Sequence, residues 1–131
     1  MRLWHQSLIP YLPRQQLLGQ HRECCAMRGN GWGMNHSTVN YVWKYPPVYL
    51  VSFHLLVINE MKLRGYNPNE KWLDYTYRGK NCKPWSKEEL NGGKDCIVIG
   101  SIIYPEHNDE YLKECIDNLK GKGIRITENF P

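Results

Sequence analysis

The chain has 131 residues, 41% of them hydrophobic, with a formal net charge of +4 and five cysteines. That length suits one domain with a small but real core, and the apolar content is that of a folded chain, not a disordered one. No apolar run is long enough to span a bilayer, and the start MRLWHQSLIPYLPRQQ lacks the apolar region and cleavage site of a secretion signal, so a cytoplasmic protein without membrane contact is expected.

The first predicted helix runs from Pro13 or Arg14 to Arg28. Proline is tolerated in a first helical turn, and Gly29 with Asn30 supplies a stop. Leu17, Leu18, His21, Cys24 and Cys25 recur at helical spacing as an apolar stripe. The opposite face carries Gln15, Gly19, Arg22, Glu23 and Ala26, so two small residues leave the backbone open to close approach beside a charged pair. GNGWGMN (29–35) is a glycine-punctuated loop, and it lacks the G-K-S/T ending of a phosphate-binding loop. STVNYVWKYPPVY (37–49) alternates in part until its prolines end the pattern.

A second helix is predicted from Pro47 to Arg64, with Leu50, Phe53, His54, Val57 and Met61 on one face and Gly65 as the stop. Residues 67–93 are polar and rich in Pro, Gly and Asn, which predicts loops and short helical turns over the core. CIVIGSIIY (96–104) is a short buried segment that periodicity leaves open between strand and helix. A third helix spans Asn108 to Lys120, capped by Asn108 or Asp109 and packing Tyr111, Leu112, Cys115, Ile116 and Leu119. GIRITENFP (123–131) reads as a short extended tail. The sum is a mainly α, single compact domain of about three core helices with long connecting loops.

Charge is distributed unevenly. Residues 1–59 hold one acid, Glu23, against Arg2, Arg14, Arg22, Arg28 and Lys44, a balance of +4. Residues 60–131 hold twelve basic and twelve acidic residues and sum to zero. A positive field gathered in one half suits a polyanion, nucleic acid first among them. The nine tyrosines and five tryptophans, against two phenylalanines, give most rings a polar tip suited to interfaces and base stacking as well as to a small core. The five cysteines include no C-x-x-C spacing, which favours free thiols in a reducing compartment over a metal centre. Zinc held by Cys/His pairs that the fold brings together is the minor alternative.

At Arg22-Glu23 the sequence resembles a family. MRLW, LLGQHRECCAMRG, HSTVNYV and INEMKLRGYNP are similar to the phage endonuclease V type of pyrimidine dimer DNA glycosylase, in its uncharacterised bacterial branch, and YPEHNDEYLKECIDNLKGK resembles that family's last helix. The resemblance implies a DNA glycosylase that is also an abasic-site lyase. An N-terminal amine attacks C1′ of the damaged nucleotide, an imine forms, and a glutamate promotes β-elimination. Carried onto this chain, the nucleophile is the amine of Met1, retained because Arg2 is too large for initiator removal. The glutamate is Glu23, and Arg22 supports the adjoining phosphate.

Arg2, Arg14, Arg28 and Lys44 are the expected phosphate contacts, with His21, Trp4 and Trp32 as further DNA-binding residues. Met1, Trp4 and Trp32 are candidate wedges for extruding a nucleotide. The expected partner is double-stranded DNA carrying UV damage or abasic sites. The protein is expected to act as a monomer, associated with the nucleoid when bound, without cofactor or metal. Two other readings stand beside this one: a non-catalytic nucleic-acid or protein-binding module of the same fold, and the Cys/His metalloprotein.

Overall fold

A computed structural model describes residues 3–33, 40–91 and 103–125. Its regular elements are helical throughout, as the periodicity predicts. α1 spans Arg14–Arg28, α2 Pro47–Leu63, α3 Lys87–Asn91 and α4 Asp109–Gly121. Tight 3-10 turns occupy Gln6–Tyr11, Asn40–Lys44 and Glu70–Leu73. The partial alternation before Pro46 thus ends in a 3-10 turn. Most of 96–104 and the tail from 126 lie outside the described residues.

The helix boundaries follow from local chemistry. Pro47 opens α2 at its first position, where a missing N–H costs nothing. Gly65 closes the helix at φ +88°. Its N–H reaches the Lys62 carbonyl at 3.0 Å, and that of Tyr66 reaches Met61 at 2.9 Å. This paired arrangement requires a left-handed residue after the last turn, which glycine adopts without strain. α4 ends in the same way at Gly123, and it begins where the Asn108 side chain accepts from the Tyr111 N–H at 2.9 Å. α3 rests on a reciprocal cap: Ser86 Oγ accepts from Glu89 N–H, and Glu89 Oε1 accepts from Ser86 N–H, each at 3.1 Å.

α2 is the central element. Leu50, Phe53, Val57 and Met61 join Leu17, Cys24 and Met27 of α1, Cys115 and Leu119 of α4, and Leu3 and Leu8 of the N-terminal segment in the main core. A smaller cluster packs Val48 and Val51 of α2 against Trp85 and Leu90. Among the described residues no helix is long and apolar enough to cross a membrane.

The N-terminal segment is tied to the far end of the chain. The Gln6 N–H donates to His107 Nδ1 at 3.0 Å, and Gln6 Oε1 accepts from the Ile103 N–H at 2.8 Å. The Leu3 carbonyl accepts from the Tyr111 hydroxyl. Because His107 Nδ1 is an acceptor, its Nε2 carries the proton and donates to Tyr41 Oη, 2.7 Å away. His107 is 2% exposed and His54 is fully buried. Burial pushes the pKa of His107 down to about 3 and that of His54 well below the usual histidine range, with Arg28 and His21 adding to the latter.

Both imidazoles are therefore neutral in the fold but titrate near 6.5 once unfolded. Their contribution is fully present above that value and is lost as pH falls through 6.5 toward the folded pKa values. Between pH 7.5 and 5 the unfolding free energy is expected to drop by roughly 4 kcal/mol, about 2 for each histidine, a window above the ordinary carboxylate range. Urea midpoints at the two pH values check this, and equal midpoints would contradict it.

Candidate active site

α1 presents two flanks. Gln20 and Glu23, three residues apart, are neighbours on one. His21 lies roughly 200° round the helix from Glu23 and belongs to the other.

On the first flank, the fully buried Gln20 turns its side-chain oxygen to the chain's beginning: Trp4 N–H donates to Gln20 Oε1 at 2.7 Å. Leu3 is also fully buried. Glu23 is half-buried one helical step beyond Gln20, and Arg22 beside it is exposed. Gly19 leaves the helix surface open there: a β-carbon added to it would meet only Arg22 Nη2, at 3.7 Å. Met1 and Arg2 lie outside the described residues.

On the second flank, Arg28, His54, His21 and Cys25 form a chain of contacts. Arg28 is fully buried. Its Nη1 donates to the Trp72 carbonyl at 2.9 Å, and its Nη2 donates to the carbonyls of Asp74 and Tyr77 at 2.7 and 2.9 Å. Nη1 also lies 3.1 Å from His54 Nδ1. A guanidinium only donates, so Nδ1 of His54 is the acceptor and Nε2 carries the proton. That proton points at His21 Nδ1, 2.8 Å away.

His21, Cys25 and His54 bring one possible metal-ligand atom each within 4.8 Å of one another. The donor set does not fit an ion as it stands. His54 Nε2 is already protonated, held so by Arg28 behind it, whereas a ligating histidine usually turns its other nitrogen toward an acceptor. The Cys25 sulfur is 3.9 Å from Nδ1 and 3.8 Å from Nε2 of His21, so it rests against the ring and not ahead of the Nδ1 lone pair. Burial lifts its thiol to about 12. The cluster is a hydrogen-bonded histidine pair with a packed thiol.

The geometry bears on three of the expected DNA-binding residues. Arg28 is fully buried and is not placed as a phosphate contact: its Nη1 and Nη2 donate to carbonyls of the 72–77 loop. Trp4 is a core ring at 6% exposure, with Lys122 Nζ 5.3 Å from its centroid, so it is not placed as a wedge. His21 is half-buried with Nδ1 committed to His54.

Arg14 and Lys44 are exposed as expected, with Arg14 near the Tyr66 ring at 5.7 Å. Trp32 is half-buried, edge-on to Trp43 and Trp85 at 4.7 and 5.5 Å. Gln20 went unread in the sequence because a glutamine on a helix carries no periodic signal. The concavity lined by Cys25, Asn30, Trp72, Arg78 and Lys80, about 380 Å³, lies on the second flank and does not include Glu23.

A basic, mainly α protein that anchors its first residues beside an Arg-Glu pair is the class defined by this fold and site. The family model for pyrimidine dimer DNA glycosylase matches residues 1–74, more than half of the chain, and the chain belongs to that family. In coarse terms it is a DNA repair glycosylase with DNA as its substrate class. The match takes in α1, α2 and the Glu70–Leu73 turn and ends before α3 and α4. No curated protein and no solved structure matches the chain.

Proposed function

We propose that the protein excises damaged pyrimidines, dimers foremost, and cuts the strand at the abasic site, with the Met1 amine as nucleophile and Glu23 as the acid/base group. The observation that carries this reading is the bond from Trp4 N–H to Gln20 Oε1. Three residues separate Trp4 from the amine, and an extended chain covers at most about 10 Å in that distance. Glu23 lies only about 4.5 Å along the helix axis from Gln20. The amine is thus within reach of the only carboxylate in residues 1–59.

The chemistry suits the groups. An α-amine, with a reference pKa of ~7.7–8.0, is roughly a tenth neutral at pH 7, a fraction lysine attains only through burial. It attacks C1′, and the C1′–N bond breaks with its electron pair leaving on the base; the C1′–O4′ bond then breaks as the sugar ring opens, O4′ takes up the proton that the amine gives up, and C1′ becomes the protonated imine. Glu23 then takes a proton from C2′, and the 3′ C–O bond breaks to release the phosphate. Water hydrolyses the imine and frees the amine.

Borohydride is expected to trap a covalent protein–DNA adduct on duplex DNA containing an abasic site, with the linkage at Met1. An adduct on Lys44 or another lysine sinks the assignment. No adduct, with DNA binding intact after N-terminal acetylation, favours a non-catalytic binding module.

The phosphate contacts that remain are Arg2, Arg14, Arg22 and Lys44. Four contacts give a slope of about −3.6 for log affinity against log salt, and each change to alanine flattens it by about one unit. Reaching C1′ requires extrusion of the nucleotide from the stack, and Trp32 is the aromatic wedge candidate that retains partial exposure. A fluorescent base analogue opposite the lesion reports the extrusion.

A further inference from the structure

We infer that Gln20 of α1 and Tyr111 of α4 are positioning residues that clamp the Leu3–Trp4 peptide from two sides and thereby aim the N-terminal amine, a role that rests on the reading of Met1 as nucleophile. The two bonds hold successive residues. Tyr111 Oη donates to the Leu3 carbonyl, and Gln20 Oε1 accepts from the Trp4 N–H. Leu3 is fully buried and Trp4 is 6% exposed, so water does not compete for either backbone group. A buried N–H that loses its acceptor carries its desolvation cost unrelieved, so the segment shifts when Gln20 is lost.

The clamp is reinforced along the same strip. Gln6 bonds to His107 and Ile103, and Lys122 lies over the Trp4 ring. Every one of these outside partners belongs to 103–122, beyond the 1–74 stretch that matches the family. Attack by the amine depends on reaching C1′ within a fraction of an ångström. A two-point hold on the third and fourth residues puts the fixed point two residues from the amine. It also makes α4, which carries none of the proposed reacting groups, part of the catalytic apparatus.

The test uses the full chain and three variants: Gln20→Met, which keeps volume without an acceptor, Gln20→Glu, which restores an acceptor oxygen, and Tyr111→Phe. Two quantities are read. Hydrogen exchange at the Trp4 amide reports the clamp itself, independent of catalysis. Single-turnover borohydride trapping on abasic duplex reports the aim, with DNA affinity and circular dichroism measured alongside.

In the parent protein the Trp4 amide is expected to be protected. Gln20→Met is expected to speed its exchange, and both Gln20→Met and Tyr111→Phe to slow trapping, each by about tenfold or more. DNA affinity should stay within about twofold, and Gln20→Glu should recover most of the trapping. Faster exchange with unchanged trapping overturns the positioning role. Free exchange in the parent protein removes the clamp altogether. A protected Trp4 amide with no adduct in the parent protein leaves the clamp standing, and it then rejects Met1 as nucleophile and, with it, the aiming role.

Discussion

Replacing Glu23 with glutamine is expected to lower strand cleavage at an abasic site about a hundredfold or more, the range for a lost general acid or base. The change is nearly isosteric, and Glu23 is a half-buried residue inside α1, so the helix is retained. Glutamine keeps hydrogen bonding but removes charge and basicity, so the step that suffers is proton removal from C2′. Imine formation needs the amine and the aldehyde of the abasic sugar. The borohydride-trapped adduct should therefore survive while cleavage fails, and measuring the two on one substrate separates attack from elimination. DNA affinity should hold or rise, because a negative charge leaves a basic surface. Unchanged cleavage would make Glu23 an ordinary helix residue.

Arg28 should respond in the opposite sense, through stability. Its side chain supplies three hydrogen bonds to the carbonyls of Trp72, Asp74 and Tyr77, one to His54, and a guanidinium 5.0 Å from the Trp72 ring centroid. Burial lowers its pKa to about 10, and it remains a cation at neutral pH. Arg28→Met leaves those buried acceptors without a donor and is expected to cost about 3–5 kcal/mol. Arg28→Lys keeps the charge but loses the planar fork, and should cost about 2 kcal/mol or more. Urea denaturation measures both. The salt dependence of DNA binding by Arg28→Lys should match the parent slope. A variant that folds as well as the parent but flattens that slope would return Arg28 to the DNA surface.

The contrast between these two residues shows where the sequence is legible. Glu23 and Arg28 both sit on α1 among apolar positions, and charge counting groups Arg28 with the exposed arginines. What decides its place is the 72–77 loop, which supplies three carbonyls from more than forty residues away. Nothing in the local pattern of α1 announces such partners.

The three long helices were legible to within a residue or two, because their periodicity and glycine stops are local. α3 falls within 67–93, which reads as loops and short helical turns; the Ser86-x-x-Glu89 cap that opens it went unread. The 3-10 turn at Asn40–Lys44 was not, since partial alternation resembles a strand until the neighbouring prolines are placed. In the candidate site, Arg22 and Glu23 came from resemblance. Gln20 and Tyr111 became visible only through contacts spanning 16 and 108 positions.

Those long separations have a consequence for the order of synthesis. A chain leaves the ribosome from its N-terminus, at about 5–20 residues per second. Leu3 and Gln6 emerge well before their partners at Ile103, His107 and Tyr111, which follow 97 to 108 positions later. Contacts that distant are also the costliest to close while the intervening chain is unfolded. The segment at Leu3 and Trp4 therefore has only its Gln20 partner on α1 until α4 has been made. A nascent or truncated chain that already displays α1, with Arg22 and Glu23 in place, still lacks the grip of α4 on its first residues. The two-sided hold on the Leu3–Trp4 peptide is complete only once α4 is in place.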